Sequence, residues 1–170
     1  MNNKIKYLVM DVDGTLTDGK IYMGANGEVM KAFDIKDGYG IHDILIPNGI
    51  APVIITGRTS QIVENRCKEL GIKDLFQGVK NKIEVLNAYL KKEDATLSEV
   101  AYIGDDLNDM NCINAVKNAG GLVGCPLNAV GMVKTCSDFV SHLEGGHGAV
   151  REFIEYILKL NEDDNKTLFG

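Results

Sequence analysis

The sequence lacks the cysteine spacing that a zinc cluster needs. Four cysteines occur in 170 residues, and no two of them form a CxxC pair. They are Cys67, Cys112, Cys125 and Cys136. A zinc site is therefore not expected, and the default prediction is four reduced structural thiols.

Long apolar runs are also missing. The longest ones have the length of a strand, and the first residues do not show the charged, apolar and small-residue regions of a secretory leader. No membrane span is expected, and a cytoplasmic location is the simplest prediction.

Positive charge is not in excess. The chain has 18 Lys and Arg residues against 24 Asp and Glu residues, a net charge of -6, and no basic stripe. A nucleic-acid partner is therefore not expected. A phosphorylated substrate is still compatible with this charge, because a metal ion and a few local cations can outweigh it.

What the sequence does contain is a series of strand-length apolar runs separated by helical segments. The main runs are residues 5–10, 52–56 and 100–104, and weaker ones lie at 122–124 and 139–140. Helices are predicted over about 38–46, 61–70, 80–90, 106–118 and 150–160, followed by a polar, frayed tail over about 161–170. This order predicts a single α/β domain over residues 1–170, with a Rossmann-like, three-layer, open parallel sheet.

A β-hairpin is predicted over about residues 20–34. Two apolar segments, 21–23 and 29–33, flank the sequence Gly24-Ala25-Asn26-Gly27. An Asn-Gly pair between such segments is a strong hairpin signal.

Polar side chains follow three of the predicted strands. Asp11, Thr56 and Asp105 stand at the strand ends, and ligands of open parallel sheets bind at that edge. Asp13 lies two residues after Asp11, and two carboxylates so close repel each other unless a cation lies between them. Mg²⁺ fits, because it prefers a few carboxylates with water and phosphate, and Asp105 and Asp106 can supply the opposite side.

A hydroxyl and a cation complete the set. Thr56 offers a hydroxyl to a phosphoryl oxygen, and Lys82 begins a predicted helix from which it can neutralise the remaining charge. A carboxylate nucleophile, a neighbouring acid, a hydroxyl, a cation and a metal are the parts of in-line phosphoryl transfer. Each residue alone also has a structural interpretation. Asp106 is a candidate helix cap, with Asp109 supporting the first turn.

The ordered set resembles the motifs of the haloacid dehalogenase-like hydrolase superfamily. Residues 11–18 resemble its first motif, Thr56 its second, Lys82 its third, and residues 104–109 its fourth. The resemblance implies that Asp11 attacks phosphorus and becomes an aspartyl phosphate. It implies that Asp13 protonates the leaving alkoxide and then activates water.

The same resemblance implies the remaining roles. Mg²⁺ would be held by the Asp11 carboxylate, the Asp13 backbone carbonyl and Asp105. Thr56 and Lys82 would hold the phosphoryl oxygens, and Asp109 would orient Lys82 or a metal-bound water.

Further segments narrow the resemblance. The hairpin with residues 18–19, and residues 37–41, 56–58 and 145–152, are together similar to 3-deoxy-D-manno-octulosonate 8-phosphate phosphatases. This implies a phosphorylated 2-keto-3-deoxy sugar acid as the substrate and a role in lipopolysaccharide synthesis. Phosphatases of sialic-type nonulosonate 9-phosphates are close relatives, so a nine-carbon substrate is the alternative.

The resemblance also implies that no large cap domain is present. About twenty residues separate Asp13 from Phe33, enough for a hairpin but not for a lid domain. The family implies a homotetramer in which hairpins from four subunits form a barrel and a neighbour helps to close each site. An isolated hairpin is marginal in water, which favours this arrangement. A hairpin that folds back on its own domain is the alternative.

Four further residues are candidates for substrate binding. Arg58, after Gly57, is suited to a bidentate bond with a sugar-acid carboxylate, although a surface ion pair is as good an interpretation. Arg151 follows a glycine-rich segment and is predicted to reach into a site, including a neighbour's. His147 stands where the resembling enzymes more often have arginine, which removes a permanent charge but keeps a hydrogen-bond donor.

Two other classes of function remain as alternatives. A receiver-type signalling domain also combines an acidic site, an aspartyl phosphate, Thr and Lys, but its accepting Asp ends a later strand. An idle oligomerising module is the third interpretation, and the intact set of Asp11, Asp13, Thr56, Lys82 and Asp105 argues against it.

Overall fold

A sheet of six parallel strands is the central layer of the computed structural model, which describes the backbone of residues 4–168 and the side chains of residues 4–162. The strands of the described residues are β1 (Tyr7–Met10), β2 (Tyr22–Gly24), β3 (Gly27–Met30), β4 (Ala51–Ile55), β5 (Asp74–Phe76), β6 (Val100–Ile103), β7 (Leu122–Cys125) and β8 (Phe139–Val140). The sheet order is β5-β4-β1-β6-β7-β8, and β2 and β3 form a separate hairpin. The predicted parallel α/β fold is confirmed.

Helices cover both faces of this sheet. The α-helices are α1 (Ile35–Tyr39), α2 (Gln61–Leu70), α3 (Lys82–Lys92), α4 (Met110–Asn118), α5 (Gly131–Cys136) and α6 (Ala149–Leu168). A π-helical segment occupies Gly40–Leu45, and short 3₁₀ turns occupy Ile46–Asn48, Leu97–Glu99 and Leu107–Asp109. Among the described residues, every helix is too short or too polar to serve as a membrane span.

The four central strands β4, β1, β6 and β7 are apolar because both of their faces are buried. Along β1, Leu8 and Met10 pack on the side of α6, where Ile154 lies. Val9 points the other way and packs with Leu86 of α3. This alternation places one hydrophobic core on each side of the sheet and holds the three layers together.

The segment between the hairpin and β4 differs from the prediction. A single helix over about 38–46 is expected, but the structure has α1, the π-helical segment and a 3₁₀ turn in succession. Gly40 lies at the first break, and a Cβ added there would lie 2.9 Å from Cδ of Arg151. Close packing against α6 therefore occupies the space that an ordinary side chain needs.

Three other elements depart from the prediction. The sequence pattern does not predict β5 or α5, because both are too short to show a clear hydrophobic period. The predicted helix 106–118 begins as the 3₁₀ turn Leu107–Asp109, and α4 starts at Met110.

The last helix is longer than predicted. It continues past Leu160 to Leu168, into the segment expected to be a frayed tail, whose residues 169–170 lie outside the described residues. Asn161 is 5% exposed, and its side chain bonds both backbone groups of Ile5, at 3.1 and 3.2 Å. This pair of hydrogen bonds ties α6 to the residues that lead into β1.

We expect Asn161→Ala to lower the free energy of unfolding by about 2 kcal/mol, because the buried N–H and C=O of Ile5 would lose their partners. Urea unfolding followed by circular dichroism measures the change. Asn118→Ala, an exposed asparagine at the end of α4, is the matched control. Equal, small effects of the two substitutions would contradict the anchoring role of Asn161.

Candidate active site

The three predicted strand-end residues meet at one edge of the sheet. The strands β4, β1 and β6 are direct neighbours, so Thr56, Asp11 and Asp105 follow adjacent strands. Asp11 is 3% exposed and Thr56 is 2% exposed. The structure therefore brings the predicted cluster together in a partly dehydrated position at the carboxyl edge.

Lys82 lies at the centre of the cluster. Its Nζ atom lies 2.9 Å from Oδ2 of Asp11 and 2.7 Å from Oδ1 of Asp109. The lysine is the first residue of α3 and its side chain is 3% exposed. Burial alone would lower the pKa of Lys82, but the charges of Asp109 and Asp11 raise it, so the side chain is an ammonium.

Asp105 faces the loop that carries the nucleophile candidate. Its Oδ1 accepts a hydrogen bond of 3.1 Å from the hydroxyl of Thr15. Gly14 has φ of +93°, and a Cβ there would lie 2.1 Å from Oδ2 of Asp105. The glycine of the first motif is therefore required both by its conformation and by the close approach of Asp105.

The carboxylates of the site carry more negative charge than the ammonium of Lys82 neutralises. Ligand oxygens of Asp11, Asp105 and Asp109 lie within 4.8 Å of one another, and the ammonium of Lys82 pairs with two of them, Asp11 and Asp109. Burial, and then the charge of Asp109, raise the pKa of Asp11 to about 6. Burial, and then the charge of Asp11, raise the pKa of Asp105 to about 7. A divalent cation with oxygen ligands would relieve this repulsion, so these residues fit Mg²⁺.

Asp109 is less available to a metal than its position suggests. Its Oδ1 accepts hydrogen bonds from Lys82 and, at 2.6 Å, from the hydroxyl of Tyr102. Its Oδ2 accepts the backbone N–H groups of Asp105 and Asp106, at 3.2 and 3.4 Å. Asp109 therefore holds Lys82 and the turn in place. Sequence reasoning missed Tyr102, which looks like any buried strand residue.

Asp106 caps the turn that follows β6. It is exposed, and its side chain accepts a hydrogen bond of 2.7 Å from the N–H of Leu107. In the reciprocal bond of this capping box, the backbone N–H of Asp106 donates to the side chain of Asp109. The helix-cap interpretation of Asp106 thus matches its geometry.

The hairpin packs over Asp13 through charged side chains. Lys31 pairs with Oδ1 of Asp13, and Nε of Arg58 lies 3.8 Å from Oδ2. Glu28 lies 3.0 Å from Lys31 and accepts a hydrogen bond of 2.6 Å from the hydroxyl of Ser60. Sequence reasoning placed Arg58 near the site but missed Lys31 and Glu28. Both are charged residues within an otherwise apolar hairpin, and this interruption of the pattern is the feature from which a role could have been predicted.

The remaining candidates lie around this edge. The N–H of Gly146 donates to the carbonyl of Thr15 at 3.1 Å, which seats the glycine-rich segment on the first motif. His147 is exposed, and its Nδ1 lies 2.9 Å from the carbonyl oxygen of Gly145. Gly57 is exposed beside Arg58.

Arg151 lies on α6. Its guanidinium packs over the ring of Tyr39, and its Nε pairs with Glu155 at 2.6 Å. Within the described part of the chain, neither contact is with the cluster around Lys82.

Comparison with known proteins identifies the family. The profile of haloacid dehalogenase-like hydrolases matches residues 40–120, which include Thr56, Lys82 and Asp105. A 3-deoxy-D-manno-octulosonate 8-phosphate phosphatase of Salmonella typhi is 43% identical over 168 residues, covering 96% of this chain and 87% of the relative. This chain belongs to the same phosphatase family.

Two solved structures from this family are similar to the present one. The 3-deoxy-D-manno-octulosonate 8-phosphate phosphatase of Moraxella catarrhalis, in complex with magnesium, phosphate and KDO, has 42% identity and a TM-score of 0.84, covering 98% of this chain and 94% of that one. The cobalt-bound phosphatase of Haemophilus influenzae has 36% identity and a TM-score of 0.87, covering 94% and 90%. Members of the family thus hold divalent metals, as the charge of this site requires.

We expect Mg²⁺ to raise the Tm more at about pH 8 than at about pH 5.5. The pKa values of Asp11 and Asp105, about 6 and about 7, lie above their ordinary value of 3.8, so protonation stabilises the metal-free fold at low pH. That contribution is lost as the pH rises through these values, and the cation replaces it by binding the ionised carboxylates. Differential scanning fluorimetry with and without MgCl₂ measures the difference.

The control for this experiment is the exposed Asp43. Asp105→Asn should remove most of the Mg²⁺-dependent shift, whereas Asp43→Asn should leave it unchanged. A shift of the same size at both pH values would contradict the proposed link between the raised pKa values and metal binding.

Proposed function

We propose that this chain is a magnesium-dependent phosphatase that hydrolyses 3-deoxy-D-manno-octulosonate 8-phosphate through an aspartyl phosphate on Asp11. The observation that carries the proposal is the cluster in which the buried Asp11 and Asp109 pair with the buried Lys82 while the partly buried Asp105 lies beside them at the carboxyl edge of the sheet. Its support from relatives is the name of the Salmonella enzyme and the ligands of the Moraxella structure. Such a site supplies a nucleophile, a cation and a metal position for phosphoryl transfer.

The first half of the reaction forms the covalent intermediate. A carboxylate oxygen of Asp11 attacks phosphorus, the bond from phosphorus to the sugar oxygen breaks, and Asp13 gives its proton to that oxygen. Thr56 and Lys82 hold the phosphoryl oxygens. Asp109, which accepts a hydrogen bond from the hydroxyl of Tyr102, holds the Lys82 ammonium in position.

The second half restores the enzyme. Asp13, now ionised, takes a proton from water as the water oxygen attacks phosphorus, and the bond to Asp11 breaks to release phosphate. The carboxylates of Asp11 and Asp105 and the backbone carbonyl of Asp13 would hold Mg²⁺. When bound, the cation supplies positive charge against the phosphoryl oxygens.

Substrate choice falls to the residues around the mouth of the site. Arg58 is half-exposed next to Asp13 and is proposed, with Gly57, to contact the sugar acid. His147 and Arg151 are proposed as further contacts, Arg151 toward a neighbouring subunit's site, because its contacts in its own chain lie elsewhere. A sialic-type nonulosonate 9-phosphate is the alternative substrate, because His147 stands where the octulosonate 8-phosphate phosphatases more often have arginine.

We propose a homotetramer as the working form of a single domain over residues 1–170, located in the cytoplasm and acting in lipopolysaccharide synthesis. The hairpin presents Met23, Val29 and Met30 to solvent, with exposures of 62%, 63% and 49%. Such a concentration of apolar side chains on an open two-stranded edge favours association with other subunits.

We expect Asp11→Asn to lower kcat at least about 10³-fold while the thermal transition is retained, because the amide is not a nucleophile at phosphorus. A panel of eight-carbon and nine-carbon ulosonate phosphates, p-nitrophenyl phosphate and unrelated sugar phosphates, assayed with Mg²⁺, measures activity and preference. Efficient turnover of unrelated phosphates with none of any ulosonate phosphate would overturn the substrate assignment.

Two measurements on the wild-type protein separate the other classes of function. A long-lived phosphoprotein after treatment with acetyl phosphate would favour the receiver-type interpretation. Wild-type protein without any phosphate release would favour the idle module.

We expect Met23→Lys with Val29→Lys to convert the tetramer to smaller species, because the lysines would place charge in an apolar interface. Size-exclusion chromatography with light scattering gives the mass. Met132→Lys, a 59%-exposed methionine on α5, is the matched control. A wild-type monomer, or a tetramer in all variants, would overturn the assignment of the hairpin as the interface.

A further inference from the structure

Lys31 is a buried lysine on the hairpin that the reaction as described does not use. Its side chain is 1% exposed and it follows the last residue of β3. Lysine is almost never fully buried unless it is paired. Its place in the fold is therefore set by the charges it meets.

Those charges belong to Asp13 and Glu28. The ammonium of Lys31 pairs with Oδ1 of Asp13 and lies 3.0 Å from Oε1 of Glu28. The contacts of Lys31 thus include the proposed acid but not the nucleophile Asp11, whose ammonium partner is Lys82. Each carboxylate of the first motif therefore has its own lysine: Asp13 pairs with Lys31 and Asp11 pairs with Lys82.

Glu28 fixes Lys31 to the body of the domain. Its Oε2 accepts a hydrogen bond of 2.6 Å from the hydroxyl of Ser60, which precedes α2, and its Oε1 lies 3.5 Å from Nη2 of Arg58. The N–H of Ser60 is itself held by the side chain of Gln77 at 2.8 Å. This chain of contacts leaves Lys31 little freedom to leave Asp13, because an unpaired buried charge is costly.

An acid that serves both halves of the reaction must keep its orientation. Asp13 first gives a proton to the leaving oxygen and then takes one from water, so its carboxyl group has to face the same point twice. Its side chain is 19% exposed, and one oxygen is held by Lys31. The other oxygen lies 3.8 Å from Nε of Arg58, whose side chain is 47% exposed.

We propose that Lys31 is a positioning residue for Asp13, so that the hairpin sets the orientation of the acid within its own chain. The proposal rests on the proposed phosphatase function. It differs from a substrate-binding role for Lys31, in which the ammonium would contact the sugar acid and leave proton transfer untouched.

The experiment compares Lys31→Met and Lys31→Gln with Asp13→Asn and with Lys20→Met. Lys20 lies just before the hairpin, its side chain is 74% exposed, and its ion pair with Asp18 is of the kind that contributes little. Rapid-quench measurements give the rate of the first step with a sugar-acid phosphate and with p-nitrophenyl phosphate. The p-nitrophenolate leaving group needs little protonation, whereas the sugar alkoxide needs it fully.

We expect Lys31→Met to slow the first step about 10- to 100-fold with the sugar-acid phosphate and less than about 3-fold with p-nitrophenyl phosphate. KM should be unchanged, and Lys31→Gln, which keeps a donor, should lie between Lys31→Met and wild type. In an Asp13→Asn background, Lys31→Met should have less than about a 3-fold further effect, because both substitutions remove the same function. Lys20→Met should match wild type.

Several results would overturn the proposal. A rise in KM confined to the sugar acid would make Lys31 a substrate ligand. Equal slowing of both substrates, or full multiplication of the two effects in the double variant, would separate Lys31 from Asp13. Wild-type activity with no change in Lys31→Met would refute the proposal while leaving the phosphatase function intact, whereas an inactive wild type would refute both.

Discussion

The site depends on the repulsion among three closely placed carboxylates, two of which pair with one ammonium. Lys82 pairs with Asp11 and Asp109, and the fold keeps ligand oxygens of these two residues and of the partly buried Asp105 within 4.8 Å of one another even though each charge disfavours the next. The cluster is tolerable because Asp109 is saturated with hydrogen bonds and because a divalent cation matches the remaining charge. Because of this excess negative charge, the site can accept an anionic phosphoryl group only when the metal ion is bound.

The order of the strands in the sheet brings the residues of the site together. Asp11, Thr56 and Asp105 are separated by roughly fifty residues each, yet they follow three neighbouring strands of a parallel sheet. Since these strands are parallel, their carboxyl ends lie next to one another at one edge of the sheet. The hairpin between the first strand and the first helix then adds a second layer of charge over Asp13.

Much of this could be predicted from the sequence because it depends on short-range patterns. Apolar runs that stop at Asp11, Thr56 and Asp105 predicted the sheet and its functional edge. The Asn26-Gly27 pair predicted the hairpin, whose turn residues are Ala25 and Asn26. The contacts of Lys31, Glu28 and Tyr102 could not be predicted, because they depend on how elements pack across the site. A lysine within a hairpin has the same pattern whether it points to solvent or to a carboxylate. The π-helical break at Gly40 is likewise set by the approach of α6.

The contact between the glycine-rich segment and the first motif has a consequence for how the protein is made. Gly145 approaches Gly14 so closely that an added Cβ would lie 1.8 Å from the Gly14 carbonyl oxygen, and Gly146 bonds Thr15. Residues near position 14 and residues near position 146 must therefore come together before the loop carrying Asp11 has its final shape. Contacts of such long sequence separation form late and slowly. A nascent chain emerging from the ribosome would hold Asp11 in an unfinished loop until residues 145 and 146 have been synthesised, because the contact that shapes this loop cannot form before then.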